Sequence, residues 1–206
     1  MTALHHPSDS TLMAFAARSL PPALELVAAA HLHLCEVCRR AGHVWNAFGG
    51  AYLESLPQPE LSKEALSVAL ERLDSPAPVE AVPLMATSVL AGIDEKFRQS
   101  RWIGPSIRMA SVIDDRTTDL RAYLLYAGAG RALPHHGHDG VEMTLVLCGR
   151  FSDNGVEYGP GDFQELDGTH AHSPVVSSDE ACVCLIGSQG TPRLPGIAGW
   201  VVRQFM

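Results

Sequence analysis

The sequence has few basic residues, with 15 Lys and Arg against 23 Asp and Glu, so its formal net charge is -8 at pH 7. Nucleic acids and anionic membranes attract proteins that cluster Lys and Arg, and this composition argues against direct contact with either. The sequence also lacks an uncharged apolar stretch of about 18 residues and a basic N-terminal segment followed by an apolar one. We therefore expect a cytoplasmic protein that binds a protein partner or a small ligand.

Cysteines are few and odd in number, at Cys35, Cys38, Cys148, Cys182 and Cys184. An odd set in a chain without an export signal argues against a disulfide framework and favours metal binding or redox sensing. Nine of the ten histidines fall into two groups, one before residue 34 and one between residues 135 and 172. This distribution predicts two separate metal sites.

Hydrophobic periodicity changes along the chain. Apolar residues at helical spacing predict helices over about 8–20, 36–53 and 62–73, and a short helix at 89–97. A further helix has Pro21-Pro22 in its first turn and an apolar stripe that extends to Leu34. Short apolar runs bounded by turn residues then predict strands, which lie over 107–113, 120–126, 141–147, 156–158, 163–166, 172–176 and 182–186. A series of short strands of this kind is typical of a sandwich or a small barrel.

A Pro-rich stretch separates the predicted helices from most of the predicted strands. We place a domain linker at about 74–83, where helical periodicity ends. The predicted organisation is α+β and multidomain, with a helical domain over 1–83 and an all-β domain over 84–206. The helix predicted at 62–73 either packs on the first three helices or moves to grip a partner.

The first candidate metal site lies around the end of the second predicted helix. His31 and Cys35 are four residues apart and Cys35 and Cys38 are three apart, so a helix brings their side chains to one face. His33 is displaced by about 200° from His31 around the helix axis and cannot easily reach the same ion. Tetrahedral Zn²⁺ accepts such a set and needs one more ligand, for which His5 and His6 are the nearest candidates.

The second candidate metal site combines His136, His138 and Glu142, with His172 able to complete it from a facing strand. His136 and His138 are two residues apart, so they project from the same face of a strand. Imidazoles with a carboxylate suit Zn²⁺, Fe²⁺, Ni²⁺ or Mn²⁺. We expect His135 and His170 to be non-ligands, because adjacent residues of an extended chain point to opposite faces.

Two further features have alternative interpretations. Cys182 and Cys184 alternate on a predicted strand and face the same side, either as buried apolar side chains or as oxidant-sensitive thiols near the second metal. Trp45 and Phe48 either pack within the helical domain or remain available to a partner.

Known families share these motifs. The pattern Gly130-x5-His136-x-His138-x3-Glu142-x6-Gly149 resembles the first cupin motif, and Gly161-Asp162 leading to His172 resembles the second. His31-x3-Cys35-x2-Cys38 with His6 upstream resembles the motif of zinc-binding anti-sigma domains. The order of the two motifs resembles the ChrR family of anti-sigma factors over nearly the whole chain.

The resemblance implies a fold and a set of ligands. The fold would be a small zinc-containing helical bundle followed by a cupin barrel, the double-stranded β-helix or jelly roll. The structural zinc would bind to four residues, namely His6, His31, Cys35 and Cys38. The cupin metal, zinc or another divalent transition metal, would bind to another four, namely His136, His138, Glu142 and His172.

The resemblance also implies a function in transcription regulation. The helices would bind and inhibit an extracytoplasmic-function sigma factor, and the cupin would release it under oxidative stress such as singlet oxygen or organic hydroperoxide. No catalytic residue is expected on this interpretation. Two alternatives stay open: a cupin metalloenzyme of the dioxygenase type with an accessory zinc domain, and an interaction module whose cupin is purely structural.

Overall fold

The computed structural model describes residues 3–58, 60–73, 81–190 and 192–193, and within these ranges six helices precede twelve strands. The helices are α1 Asp9–Ala16, α2 Pro22–Leu34, α3 Glu36–Ser55, α4 Ala65–Leu73, α5 Ala81–Ala91 and α6 Ile93–Arg98. The strands are β1 Arg101–Gly104, β2 Ile107–Asp115, β3 Leu120–Ala127, β4 His136–His138, β5 Glu142–Cys148, β6 Phe151–Asp153, β7 Val156–Tyr158, β8 Phe163–Leu166, β9 Ala171–His172, β10 Val175–Val176, β11 Cys182–Gln189 and β12 Pro192–Arg193.

The helices follow local signals. The Ser8 hydroxyl caps α1 by accepting a hydrogen bond from the Thr11 amide, and a proline opens α2 where its missing N–H costs nothing. The first helix is shorter than predicted, because Arg18 takes a left-handed conformation with φ 55° after it. The ambiguous stretch before the strands forms two helices, α5 and α6, that break at Gly92.

The strands form the cupin barrel, as predicted. One six-stranded antiparallel sheet has the order β1-β2-β3-β11-β5-β8, and two three-stranded sheets have the orders β10-β6-β7 and β12-β4-β9. The predicted strand 172–176 is divided into β9 and β10, because Ser173 and Pro174 interrupt it. The short strands β1, β6 and β12 were not predicted.

Helix α2 is buried on nearly all sides, because it lies between the other helices and the large sheet. Leu26 and Val27 are fully buried and share one core with α5 residues and with Leu124 and Leu185 of the sheet. At Gly187 of β11, an added Cβ would lie 2.4 Å from the Ala23 carbonyl oxygen, so glycine lets the helix backbone rest directly on the sheet. The helical and β parts are therefore joined by a common core.

Residues 74–80 of the predicted linker lie outside the described residues, and residues 81–83 begin α5. The boundary between a domain over 1–83 and one over 84–206 stays a prediction. Among the described helices, each is too short or too polar to cross a membrane.

Candidate metal centres

The first cluster joins four side chains from three segments. His6 precedes α1, His31 lies in the last turn of α2, Cys35 separates α2 from α3, and Cys38 lies in the first turn of α3. One ligand atom from each lies within 4.8 Å of the other three. The His6 Nδ1 atom is 3.3 Å from Cys38 Sγ and 3.6 Å from Cys35 Sγ, and His31 Nε2 is 3.3 Å from Cys38 Sγ.

These distances and donor types fit a tetrahedral zinc ion. A nitrogen at about 2.1 Å and a sulfur at about 2.3 Å from one zinc lie about 3.6 Å apart. Burial and the neighbouring His6 lower the pKa of His31 to about 4, so its imidazole is neutral at pH 7 and has a free lone pair. Burial and the neighbouring Cys35 raise the pKa of Cys38 to about 12, and a bound cation would instead deprotonate both thiols.

The other histidines near this cluster lie elsewhere. His33 is exposed on α2, on the far side from His31 as the helical geometry predicted. His5 turns toward the cupin, where its Nδ1 atom is 3.3 Å from Asp162 Oδ2 and its ring lies 4.7 Å from that of Tyr158. Of the two N-terminal candidates, the structure therefore brings His6 to the cluster.

The second cluster lies at one end of the barrel interior. His136 and His138 lie on β4, Glu142 begins β5, and His172 lies on β9 directly opposite His136. The His172 Nε2 atom is 3.1 Å from His136 Nε2 and 3.2 Å from His138 Nε2. The Glu142 Oε1 atom is 3.5 Å from His138 Nε2. Imidazole nitrogens that share one metal at about 2.1 Å lie about 3.0–3.4 Å apart, so the geometry fits a divalent ion.

Hydrogen bonds on the outer ring nitrogens fix two of these imidazoles. His136 Nδ1 is 2.8 Å from the Pro134 carbonyl oxygen, and His172 Nδ1 is 2.8 Å from Asp153 Oδ2. A carbonyl and a carboxylate only accept, so each Nδ1 carries the proton and each Nε2 presents a lone pair to the shared point. The Nε2 lone pairs of His136 and His172 therefore converge at 3.1 Å, a separation that suits two ligands of one cation.

The electrostatics of this cluster also favour a cation. Burial, with the neighbouring His136 and His172, lowers the pKa of His138 to about 4, so that ring is neutral at pH 7. Burial and the nearby Asp153 raise the pKa of Glu142 to about 8. A bound divalent ion would offset that burial and hold Glu142 as a carboxylate ligand.

Asp153 is the functional residue that the sequence analysis missed. Its sequence context, Asp153-Asn154-Gly155, is typical of a turn, yet Asp153 is 3% exposed and accepts hydrogen bonds from both His172 and Gln164. Phe151–Asp153 alternates buried and exposed residues, as a strand does. Three residues are too few for that alternation to be recognised in the sequence. His135 and His170, predicted as non-ligands, are exposed and bond to Ser173 and Asp167.

An apolar cavity of about 150 Å³ extends from the second cluster into the barrel. Its walls are aliphatic and aromatic, and the side chains include Ile107, Met109, Leu125, Phe151, Val176 and Ile186. Cys182 and Cys184 also line it, both buried, with their Sγ atoms 3.6 Å apart. The arrangement can hold a small apolar molecule next to a metal and two thiols.

Comparisons with known proteins identify the family of the chain. The family profile described as the ChrR Cupin-like domain matches residues 96–191. The anti-sigma-E factor ChrR of Cereibacter sphaeroides is 34% identical over 212 residues, which include 100% of this chain and 99% of that protein. The crystal structure of Rhodobacter sphaeroides SigE in complex with the anti-sigma ChrR matches with a TM-score of 0.76 and 35% identity, covering 91% of this chain and 100% of that chain. Because the identity extends over its whole length, the chain belongs to the ChrR family of anti-sigma factors.

Proposed function

We propose that this chain binds and inhibits an extracytoplasmic-function sigma factor through the apolar surface of α3 and α4. The observation that carries the proposal is the exposure of that surface. Eight of the nine residues of α4 are exposed, and the large apolar residues of α3 from Val44 onward are exposed apart from the half-buried Trp45. We call this set the α3–α4 surface, and it comprises Val44, Phe48, Tyr52, Leu53, Leu66, Leu70 and Leu73.

The exposed apolar side chains are concentrated on α3 and α4. Phe48 is 63% exposed, Leu66 is 70% exposed and Leu73 is 77% exposed, although they lie on only two helices. Scattered apolar residues are normal on soluble proteins, but a concentration of this kind marks an interaction surface. Amphipathic helices bind protein partners by placing such a face in an apolar groove. Trp45 contacts Phe48 edge-on and so belongs to the base of this surface.

The partner class follows from the family. The similar structure from Rhodobacter sphaeroides is that of an anti-sigma protein bound to SigE. The net charge of -8 opposes direct binding to nucleic acid, so inhibition acts on the sigma factor and not on the promoter. A sigma factor works in the cytoplasm, and we place this chain there, without a membrane partner.

The first cluster supports a scaffold role for zinc. His6, His31, Cys35 and Cys38 supply four protein ligands, and a closed tetrahedral site leaves no position for a substrate. The ion would join the N-terminal segment to α2 and α3. In a small helical unit this contributes stability that the limited apolar core does not supply.

The second cluster and its cavity support a sensor role for the cupin. His136, His138, Glu142 and His172 would hold zinc, iron, nickel or manganese as four ligands, and an ion that prefers six ligands, such as iron, nickel or manganese, would keep coordination positions open for a small molecule. The apolar cavity suits an organic oxidant, and the thiols of Cys182 and Cys184 lie within the same cavity. We propose that singlet oxygen or organic hydroperoxide acts at this site and releases the sigma factor.

The same cluster keeps a second candidate function open. Three histidines and a glutamate beside an apolar cavity also suit a cupin dioxygenase, although we propose that the chain is not an enzyme. Oxygen consumption by the metal-loaded protein with a series of small organic substrates separates the two. Steady turnover supports the enzyme, whereas a single-turnover change without catalysis supports the sensor.

Co-purification tests the principal proposal. The full chain is co-expressed with an extracytoplasmic-function sigma factor from the same genome, and a one-to-one complex is expected. Leu66→Asp should abolish the complex, because it places a charge in the apolar contact. Val156→Asp changes an exposed apolar residue of the cupin and serves as the matched control. A complex that survives Leu66→Asp and Phe48→Asp unchanged would contradict the proposed surface.

A further inference from the structure

The N-terminal segment that presents His6 is held by the cupin. The backbone N–H groups of Leu4 and His5 both donate to Asp162 Oδ1, at 2.6 Å and 3.0 Å. The backbone N–H of Phe163 donates to the His5 carbonyl oxygen at 3.1 Å. The residue directly before His6 is thus bonded to the cupin through both of its backbone polar groups.

This support matters for His6 more than for the other three ligands. His31, Cys35 and Cys38 are buried on α2 and α3, where packing fixes them, whereas His6 is exposed. An exposed side chain at a chain terminus is ordered only if its backbone is tied down. The hydrogen bonds to Asp162 hold the backbone of Leu4 and His5, next to His6, in place.

Asp162 accepts hydrogen bonds both from the N-terminal segment and from the backbone of its own turn. It is 4% exposed, and its second oxygen, Oδ2, accepts the Gly159 backbone N–H at 2.8 Å. Burial opposes its ionisation, but the N–H donors of Gly159, His5 and Leu4 outweigh burial and keep the pKa below its usual value. A buried carboxylate with several N–H donors makes strong, charge-assisted hydrogen bonds.

The strand that follows Asp162 continues the contact. Phe163 lies edge-on to the His31 ring with 5.3 Å between ring centroids, and Glu165 Oε1 accepts the Thr11 hydroxyl at 2.5 Å. Gln164, between them, points to the opposite face and donates to Asp153, which bonds to His172 of the second cluster. Strand β8 therefore contacts the surroundings of both clusters.

We propose that Asp162 is a positioning residue for the first metal cluster, so that the cupin determines how tightly His6 holds a zinc ion. This rests on the proposed zinc scaffold. The zinc ion gains its fourth ligand only when the N-terminal segment is bound to the cupin turn. Any movement of β8 then changes zinc retention in the helical part.

The test is the rate of zinc release from the full chain to an excess of a chromophoric chelator. Asp162→Asn should accelerate release by about tenfold, because the N-terminal segment loses charge-assisted hydrogen bonds at Leu4 and His5, and one such bond contributes a factor of about this size. The asparagine side chain has one accepting oxygen in place of two. Its NH2 group would face backbone N–H groups whose hydrogen bonds the second carboxylate oxygen accepts in the wild type. Asp167→Asn is the control, since this exposed aspartate bonds only within its own turn to Thr169 and His170 in the part described.

A double mutant separates positioning from general stability. His6→Ala alone should release zinc faster, and adding Asp162→Asn to it should cause no further change if Asp162 acts through His6. Multiplicative effects of the two substitutions would overturn the inference. Cobalt substituted for zinc should lose part of its tetrahedral absorption in Asp162→Asn and more of it in His6→Ala.

Two further measurements distinguish a misfolded variant, or a chain without zinc, from a failure of the role proposed for Asp162. If Asp162→Asn does not fold, Leu4→Pro removes one N–H donor from the N-terminal side and leaves the cupin turn intact, and an unchanged release rate then overturns the inference. Wild-type protein without zinc in the first cluster would refute the zinc scaffold itself. Zinc that is present but released equally fast by wild type and Asp162→Asn would refute only the role of Asp162.

Discussion

Asp153 is expected to control metal affinity in the cupin without being a ligand. Its Oδ2 atom accepts hydrogen bonds from His172 and Gln164, each at 2.8 Å, in a site where Asp153 is 3% exposed. The carboxylate fixes the His172 ring and raises its basicity toward a metal. Asp153→Asn keeps the shape and an accepting oxygen but removes the charge. Asp153→Ala removes the acceptor as well.

The expected magnitudes differ for these two variants. Outer partners of metal ligands contribute 10–100-fold to affinity. The asparagine variant should lie near the lower limit, about tenfold or 1.4 kcal/mol, because both hydrogen bonds can still form. The alanine variant should approach a hundredfold, or about 2.7 kcal/mol, because it leaves two buried N–H donors without a partner.

Competition with a chelator of known affinity measures both variants, and elemental analysis counts the metals per chain. The first cluster serves as an internal reference, since its zinc should stay bound throughout. Asp179→Asn, an exposed aspartate bonded to Ser177, is the matched control. Equal metal affinity of the cupin in wild type and Asp153→Ala would refute the reasoning.

Three other substitutions test separate parts of the account. Cys35→Ala should remove zinc and abolish sigma-factor binding together, whereas intact binding by the zinc-free variant in a pull-down would contradict the scaffold role. Replacing Cys182 and Cys184 with serine should prevent hydroperoxide-induced release of the sigma factor, and release at the wild-type rate would remove the thiols from the mechanism. Gly187→Ala should lower the free energy of unfolding by about 2–3 kcal/mol, because its Cβ would meet the Ala23 carbonyl oxygen. Thermal unfolding equal to wild type would show that α2 does not rest directly on the sheet.

Local sequence spacing predicted which side chains the fold brings together in the two clusters. His31, Cys35 and Cys38 lie within eight residues, and although the extended residue Cys35 separates α2 from α3, this short spacing keeps the three side chains together. His136 and His138 lie on one strand, where the two-residue period does the same. The resemblance to the anti-sigma motif was needed to choose His6 over His5, because a segment before the first helix has no periodicity to interpret.

The residues that connect these sets were beyond prediction. Asp162 bonds to Leu4 across 158 positions of sequence, and nothing near either residue indicates the other. Asp153 has the ordinary appearance of a turn aspartate, and only the fold places it behind His172. The burial of α2 between helices and sheet likewise depends on long-range packing, which is why the predicted domains share a core.

If the α3–α4 surface holds a sigma factor inactive, the chain should silence transcription in vitro. RNA polymerase reconstituted with a cognate extracytoplasmic-function sigma factor is assayed on its promoter as zinc-loaded full chain is added. We predict that one equivalent of the chain silences transcription and that the Leu66→Asp variant does not. Full transcription in the presence of a molar excess of the wild-type chain would contradict the account.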